Sequence, residues 1–185
     1  MMHMVVARYM TVAEFEKTAP RLGPCELVRG EVVYLSPGGL PHSSVSGTIA
    51  VLLGSWAKAS RRGRVLTNEA GMVTAQNPGT VRGADVAFIS YKRLPRGPLP
   101  DGFSRVPPEL VVEVVGKGQG WDVMVEKAGE YLAMGVDRVW VIDVVKQHVH
   151  VFRPDSEPVV HGPKATLTDA AVLPGFRLRV QAIFK

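Results

Sequence analysis

The sequence predicts a mixed α/β fold built around one β-sheet. Two stretches carry apolar residues at helical spacing, and short strand-like runs lie between and after them. One run, Leu110–Val115, is almost uninterrupted in its apolar character, which is typical of a buried central strand. A chain of 185 residues can bury a core, and we expect one domain over residues 1–185.

The N-terminal half predicts a short helix, a hairpin and a longer helix. Thr11 and Glu14 form a capping-box pattern at the start of the short helix. Arg29 and Gly30 separate two strand-like runs, which predicts the hairpin. Pro41 then opens the longer helix, which runs to about Ala59. The strands predicted in this half are Glu26–Val28, Glu31–Leu35, Arg64–Thr67, Gly71–Thr74 and Ala84–Ile89.

The C-terminal half follows a connection rich in proline and glycine, Tyr91–Pro108, whose length is typical of functional or mobile loops. After the central strand, a glycine-rich turn from Gly116 to Gly120 leads into a predicted helix, Trp121–Met134, which Gly135 can end. Further strands are predicted at Arg138–Asp143, His148–Phe152 and Phe176–Val180.

Composition favours an intracellular protein with a polyanionic partner. The net charge is +5 and the isoelectric point is near 9.6, which suits DNA without requiring it. Cys25 is the single cysteine, so no internal disulfide is possible. The chain has no apolar run of about 18 residues and no convincing signal peptide at its start, so we expect a cytoplasmic location and no membrane partner. Candidate DNA-contacting clusters, which equally suit a solvated surface, are Arg61, Arg62 and Arg64; Lys92, Arg93 and Arg96; and Arg177 and Arg179.

Two carboxylates in apolar strands are the first candidates for chemistry. Glu113 lies inside the central strand, where a buried carboxylate is costly unless it meets a cation or a hydrogen-bond donor. Asp85 leads another apolar run. Carboxylates on neighbouring strands can hold a hard cation such as Mg²⁺. The alternatives are that Glu113 faces water or pairs with an arginine, and that Asp85 is a turn or cap residue.

Lys127 is the third candidate. It lies three residues after Met124 and four before Tyr131, so it borders the apolar side of the predicted helix. A lone lysine there would more simply extend its amine into water. Phosphodiester hydrolysis, however, uses a metal ion together with a fixed cation near the phosphate. The three residues together therefore predict a nuclease site.

Residues 81–153 resemble the restriction-endonuclease-like PD-(D/E)XK superfamily, and most closely its bacterial Uma-type family of restriction endonucleases. The resemblance lies in an ordered set of short motifs. In this region they are Pro108–Val115, Asp122, Glu126-Lys127, Tyr131-Leu132, Gly135-Val136, Val139–Asp143 and, at its end, Val149–Pro154. Outside it, the family is also resembled by Glu26–Glu31, Ser36-Pro37, His42 and Leu173–Phe176, so the resemblance spans most of the chain.

The resemblance implies a restriction-endonuclease-like fold, a central mixed sheet flanked by helices, and Mg²⁺-dependent cleavage of DNA, with Mn²⁺ as a possible substitute. Asp85 and Glu113 would bind the metal, with the Val114 carbonyl completing the site. Glu31 would be a further acidic site residue, and His42 would contact substrate or water. Such enzymes often act as dimers, so a homodimer or higher homo-oligomer is expected.

The chain departs from the superfamily pattern at three places. The position two residues after Glu113, where the lysine is usual, is Val115, so the resemblance implies that Lys127 on the helix has taken that role. Ala84 precedes Asp85 in place of proline, and Gly116 replaces a small polar residue after the strand.

Other functions fit parts of the sequence. The glycines from Gly116 to Gly120 follow a strand and precede a helix, as in S-adenosylmethionine-dependent methyltransferases, although too few residues follow for a doubly wound sheet. A catalytically silent nucleic-acid-binding module could use the basic clusters with Trp121 or Tyr91. His148 and His150 share one face of a strand and could bind a metal, but surface positions are the simpler interpretation.

Overall fold

The computed structural model describes residues 9–116 and 120–185. A capping box at Thr11 and Glu14 starts the first helix, as the sequence predicts. The helices are α1 (Val12–Leu22), α2 (Leu40–Ser60), α3 (Trp121–Met134) and a C-terminal 3-10 helix (Val180–Phe184). The strands are β1 (Cys25–Val28), β2 (Glu31–Tyr34), β3 (Gly63–Gln76), β4 (Gly79–Ser90), β5 (Leu110–Val115), β6 (Arg138–Asp143), β7 (His148–Arg153), β8 (Ser156–His161), β9 (Thr166–Asp169) and β10 (Leu173–Arg179).

A mixed sheet forms the centre of the fold, with strands in the order β2-β1-β4-β5-β6-β7-β8 and β3 paired with β4. Strands β5 and β6 are parallel because α3 connects them as a crossover helix. The other named pairs of this sheet are antiparallel. Strands β9 and β10 form a separate two-stranded sheet.

The two faces of the sheet bury different cores. On one face, α2 packs with Val45, Ile49 and Leu53 against the sheet, beside β9, β10 and the 3-10 helix. On the other face, α3 packs with Met124, Ala128 and Tyr131. Since side chains alternate along a strand, Glu113 shares its face with Val111 and Val115 and therefore points towards α3.

Strand β4 has an interruption in its pairing that positions the site described below. One edge of β4 pairs with β3 along most of its length. The other edge pairs with β1 at Val81 and with β5 only from Val86 to Phe88. Residues 82–85 therefore lie in a gap between β1 and β5, where backbone groups need partners other than a neighbouring strand.

Several sequence predictions need correction. The segments predicted as separate strands, Arg64–Thr67 and Gly71–Thr74, belong to one long strand, β3, because a bulge rather than a turn joins them. Strands β8 and β9 were not predicted, since β8 is a largely exposed edge strand without an apolar alternation. The predicted turn from Gly116 to Gly120 lies largely outside the described residues.

The methyltransferase alternative is not supported by the fold. It requires a doubly wound parallel sheet, whereas β5 and β6 are the single parallel pair among the named strands of the described residues. The region described includes no helix that is both long and apolar enough to span a membrane.

The α2 core predicts a clear difference between two substitutions in one helix. Ile49 is fully buried, so Ile49→Ala should lower the free energy of unfolding by about 2–5 kcal/mol through a cavity. Val51 is 67% exposed, so Val51→Ala should change it by no more than about 0.5 kcal/mol. Urea denaturation followed by circular dichroism measures both. Equal losses in the two variants would contradict this packing.

Candidate active site

A pocket of about 860 Å³ opens beside the gap in β4. Residues from the loop after β2, the start of α2, and strands β3, β4 and β5 line it, and α3 closes one wall. The predicted site residues His42, Asp85, Glu113, Val114 and Lys127 all lie along its wall.

Lys127 reaches from α3 into the gap and is 7% exposed. Its Nζ lies 2.8 Å from Glu113 Oε2, 3.1 Å from Glu26 Oε1 and 3.3 Å from the Gly83 carbonyl oxygen. A lysine ammonium has three N–H donors, so these acceptors can use all of them. Burial lowers the pKa of Lys127, but Glu113 and Glu26 outweigh it, so the pKa is raised and the side chain stays charged.

Glu113 is buried between Lys127 and a tyrosine. The Tyr131 hydroxyl donates a hydrogen bond of 2.8 Å to Glu113 Oε1, so each carboxylate oxygen has a donor. Burial raises the pKa of Glu113 to about 7, and Asp85 adds to the rise, whereas Lys127 and Tyr131 oppose it. The carboxylate therefore lies close to its titration point at neutral pH and would gain from a further cation.

Asp85 lies opposite Glu113, since Val86 pairs with Val112 in antiparallel register. Its Oδ2 accepts a hydrogen bond of 2.7 Å from the Val114 backbone N–H and lies 3.4 Å from His42 Nε2. This contact is the main reason why the pKa of His42 is raised. A histidine from the first turn of α2 is thus held at the pocket wall.

Glu26 is a site residue that the sequence reasoning missed. It is 4% exposed on β1, and its Oε1 accepts the Gly83 N–H at 2.9 Å besides facing Lys127. Its Oε2 lies 3.0 Å from Arg82 Nη1. Burial raises the pKa of Glu26, but Lys127, the Gly83 N–H and Arg82 outweigh it and lower the pKa. Glu113 was selected because it is a carboxylate within a predicted strand of apolar residues. Glu26 precedes Leu27 and Val28 in another predicted strand, so the same criterion could have selected it.

Arg82 and Glu130 extend this charged network to the next turn of α3. Arg82 is 4% exposed, and its Nε and Nη2 donate to the two carboxylate oxygens of Glu130 at 2.6 and 2.9 Å. Burial lowers the pKa of Arg82, but Glu130 and Glu26 outweigh it and raise the pKa. Arg82 thereby joins α3 to β4 and β1 and fixes the helix that carries Lys127.

Glu69 is a second pocket residue that no sequence pattern indicates. Asn68 and Glu69 both have positive φ angles, 64° and 55°, and form a bulge between Thr67 and Ala70. The two bulge residues face Asp85, because Thr67 pairs with Val86 and Ala70 pairs with Ala84. Bulges redirect side chains and are common beside active sites. Here the bulge places Glu69 at the pocket wall.

Other predicted residues lie away from the pocket. Glu31 is exposed next to the hairpin turn and is not among the residues that line the pocket, because it sits at the far end of the edge strand β2. Glu26 of the same hairpin points into the gap instead. His150 packs against Trp121 at a ring distance of 4.4 Å.

The basic clusters likewise lie outside the pocket lining. Gly63 pairs with Ser90 at the end of β3 and β4 that lies away from Val81. Two of the clusters are next to these residues in the chain and therefore lie at that end of the sheet: Arg61, Arg62 and Arg64, and Lys92, Arg93 and Arg96. There Arg64 and Arg96 pack over the Tyr91 ring, and Arg93 pairs with Glu109 and Asp137.

The donor atoms at the pocket fit a hard divalent cation. Asp85 Oδ1 has no hydrogen-bond partner among the described residues, and Glu113 and Val114 lie beside it. Mg²⁺ prefers oxygen ligands and is often bound by one or two carboxylates with several waters. No three His, Cys, Asp or Glu side chains in residues 9–116 and 120–185 form a metal-binding group by themselves. Asp85, Glu113 and the Val114 carbonyl could hold such an ion, with water or substrate completing its shell.

The buried network predicts that Arg82 matters for stability far more than an exposed arginine does. Arg82→Ala leaves Glu130 without its cation and leaves Glu26 with Lys127 alone, so it should lower the free energy of unfolding by about 3–5 kcal/mol. Arg29 is the matched control, because it pairs with Glu126 of the same helix but is 68% exposed. Arg29→Ala should cost no more than about 1 kcal/mol. Urea denaturation compares the two, and similar losses would contradict the network.

Comparison with known proteins identifies the family of the chain and supports its fold. The family described as "Uma2: Putative restriction endonuclease" matches residues 12–181. A crystal structure of a putative nuclease belonging to DUF820 from Anabaena variabilis superimposes with a TM-score of 0.82 at 21% identity. The superposition covers 95% of this chain and 97% of that one, and therefore supports the restriction-endonuclease-like fold. No curated protein matches the chain. With most of its length matched by one family profile, the chain belongs to the Uma2 family of restriction-endonuclease-like proteins.

Proposed function

We propose that the protein is a metal-dependent endonuclease that hydrolyses phosphodiester bonds in DNA. The observation that carries the proposal is the buried Lys127 ammonium, held 2.8 Å from Glu113 on the side of an open pocket that Asp85 also lines. A buried lysine and facing carboxylates beside a gap in the sheet suit the binding of a cation and a phosphate. Membership of the Uma2 family supports the reaction class.

In this proposal Asp85, Glu113 and the Val114 carbonyl hold Mg²⁺ or Mn²⁺. The ion would lower the pKa of water and neutralise charge on the phosphoryl oxygens. The Val114 N–H orients Asp85 by binding one oxygen, which leaves the other free for the ion. Tyr131 and Lys127 orient Glu113 in the same way.

Lys127 contributes positive charge rather than a movable proton. Its ammonium is held by Glu113, Glu26 and the Gly83 carbonyl, and its raised pKa keeps it charged. A preorganised charge of this kind stabilises negative charge that develops on the phosphate. Glu26 and Arg82 are positioning residues, because they fix Lys127 and α3 and do not touch the substrate.

A cleavage assay tests the proposal. Supercoiled plasmid DNA and labelled duplex and single-stranded oligonucleotides are incubated with Mg²⁺ or Mn²⁺. Asp85→Asn keeps the size of the side chain and should reduce the cleavage rate by about 10²- to 10³-fold, and Lys127→Met by a similar factor. Glu157→Gln, on the exposed edge strand β8, is the control with unchanged rate. Circular dichroism confirms that each variant is folded.

If the wild type cleaves DNA and both Asp85→Asn and Lys127→Met cleave it at the same rate, the assignment of the active site is wrong. DNA binding without cleavage under any of these conditions would instead favour the catalytically silent binding module. The expected homodimer or higher homo-oligomer stays a prediction, which light scattering after size-exclusion chromatography tests.

Metal binding should depend on pH in a defined direction. The pKa of Glu113 is raised to about 7, so below that pH the carboxylate holds a proton that must leave before an ion binds. Without metal, this raised pKa means that Glu113 stabilises the fold most at low pH and loses that contribution as the pH rises towards about 7. Mn²⁺ should therefore raise the melting temperature more at about pH 8 than at about pH 5.5.

Differential scanning fluorimetry with and without Mn²⁺ measures this effect. In Asp85→Asn the shift caused by Mn²⁺ should largely disappear at both pH values. A shift of equal size at the two pH values in wild type would contradict a role for Glu113 as a ligand.

A further inference from the structure

Glu69 is an acidic side chain in the pocket that the proposed mechanism has not yet used. It lines the pocket together with His42, Asp85, Glu113 and Lys127. A glutamate with a φ of 55° is uncommon, because this left-handed region is unfavourable for residues other than glycine, asparagine and aspartate. Such a conformation persists only where the surroundings enforce it, and it is frequent at functional sites.

The opposite strand leaves room for this carboxylate. A Cβ atom added to Gly83 would collide with Glu69 Oε2 and would lie 3.1 Å from Glu69 Cβ. Gly83 also binds Glu26 through its N–H and Lys127 through its carbonyl. The glycine therefore lets Glu69 lie directly over the backbone that holds the lysine.

The other charged groups of the pocket are already engaged. Lys127 directs its donors to three protein acceptors, and both oxygens of Glu113 accept hydrogen bonds. Asp85 Oδ2 accepts the Val114 N–H and lies near His42, and its Oδ1 is assigned to the metal ion in the proposed function. Glu69, in contrast, has no hydrogen bond or ion pair with any described residue, so no protein donor occupies its carboxylate oxygens in the pocket.

The surroundings also increase the proton affinity of Glu69. Burial and the neighbouring Asp85 and Glu26 raise its pKa, and Lys127 and His42 lower it, with a net rise. These four charged groups shift its pKa, and Glu113 lines the same pocket. A carboxylate with a raised pKa is a better proton acceptor than a carboxylate with an ordinary pKa.

We propose that Glu69 is the catalytic general base of the endonuclease. This inference rests on the proposed function. In the step, one O–H bond of a water molecule breaks and its proton passes to a Glu69 carboxylate oxygen. The water oxygen forms a bond to phosphorus, and the bond from phosphorus to the leaving sugar oxygen breaks. The leaving oxygen takes a proton from solvent water, and Glu69 later releases its proton to solvent.

Lys127 cannot take this role, because its donors are all bound and its charge is retained. His42 is the alternative proton acceptor, but its Nε2 already faces Asp85 at 3.4 Å. The two residues make different predictions when each is changed separately, so the experiment includes both.

The test compares Glu69→Gln, Glu69→Asp and His42→Asn with wild type and with Glu157→Gln as the control. Cleavage of a labelled DNA duplex is measured in single-turnover reactions with Mn²⁺ over a range of pH. Calorimetry measures Mn²⁺ affinity without DNA, and fluorescence anisotropy measures DNA affinity. Glu69→Gln removes the proton acceptor but keeps the size of the side chain.

In Glu69→Gln the cleavage rate should fall by about 10²- to 10⁴-fold, while Mn²⁺ and DNA affinities stay within about threefold of wild type. With Mn²⁺ saturating at each pH, which offsets the protonation of Glu113, the fall of the wild-type rate at acidic pH should largely disappear in this variant. Glu69→Asp should recover part of the rate, and His42→Asn should lose less than Glu69→Gln.

Each other result has a distinct meaning. An unchanged cleavage rate in Glu69→Gln, or an acidic limb that vanishes only in His42→Asn, would overturn the role of Glu69. Loss of Mn²⁺ affinity in parallel with the rate would make Glu69 a metal ligand and would also overturn it. A wild-type protein that cleaves no DNA would contradict the proposed function itself and remove this inference with it.

Discussion

The architecture of the site depends on a break in strand pairing along β4. Between Val81, which pairs with β1, and Val86, which pairs with β5, the edge of β4 has no neighbouring strand. Buried backbone groups in such a gap must find other partners. Glu26 accepts the Gly83 N–H, Lys127 donates to the Gly83 carbonyl, and Asp85 accepts the Val114 N–H. The side chains proposed for catalysis and for positioning thus also complete the backbone hydrogen bonding of the sheet.

The buried charges are tolerated in the interior because they alternate in sign along a chain of contacts. Glu130, Arg82, Glu26, Lys127 and Glu113 form a chain of contacts in which each charge has an opposite neighbour. Removing Arg82 would leave Glu130 without an opposite charge, and removing Lys127 would do the same to Glu113, which is more costly at low dielectric than removing the pair. The network therefore links stability to function: the residues that fix Lys127 also hold α3 against the sheet.

The position of the lysine has a simple geometric basis. Val115 lies two residues after Glu113 on the same face of β5, where a lysine is usual in the superfamily, but here Val115 is 6% exposed and packs in the α3 core. Helix α3 packs on that face of the sheet, so the Lys127 side chain can reach the same space from the helix. Its ammonium arrives 2.8 Å from Glu113 without interrupting the apolar strand.

By itself, the sequence determined the elements with strong periodicity and the unusual charges within them. The α2 and α3 helices, the central strand, and the candidates Asp85, Glu113 and Lys127 follow from apolar patterns, because a charge inside such a pattern needs a partner. Only the tertiary structure decided which carboxylate of the hairpin enters the site, Glu26 rather than Glu31. It also decided the role of Glu69 as a pocket residue, since a bulge in β3 sets its direction. Bulges and long-range ion pairs depend on the register between distant strands, which has no periodic signal in the chain.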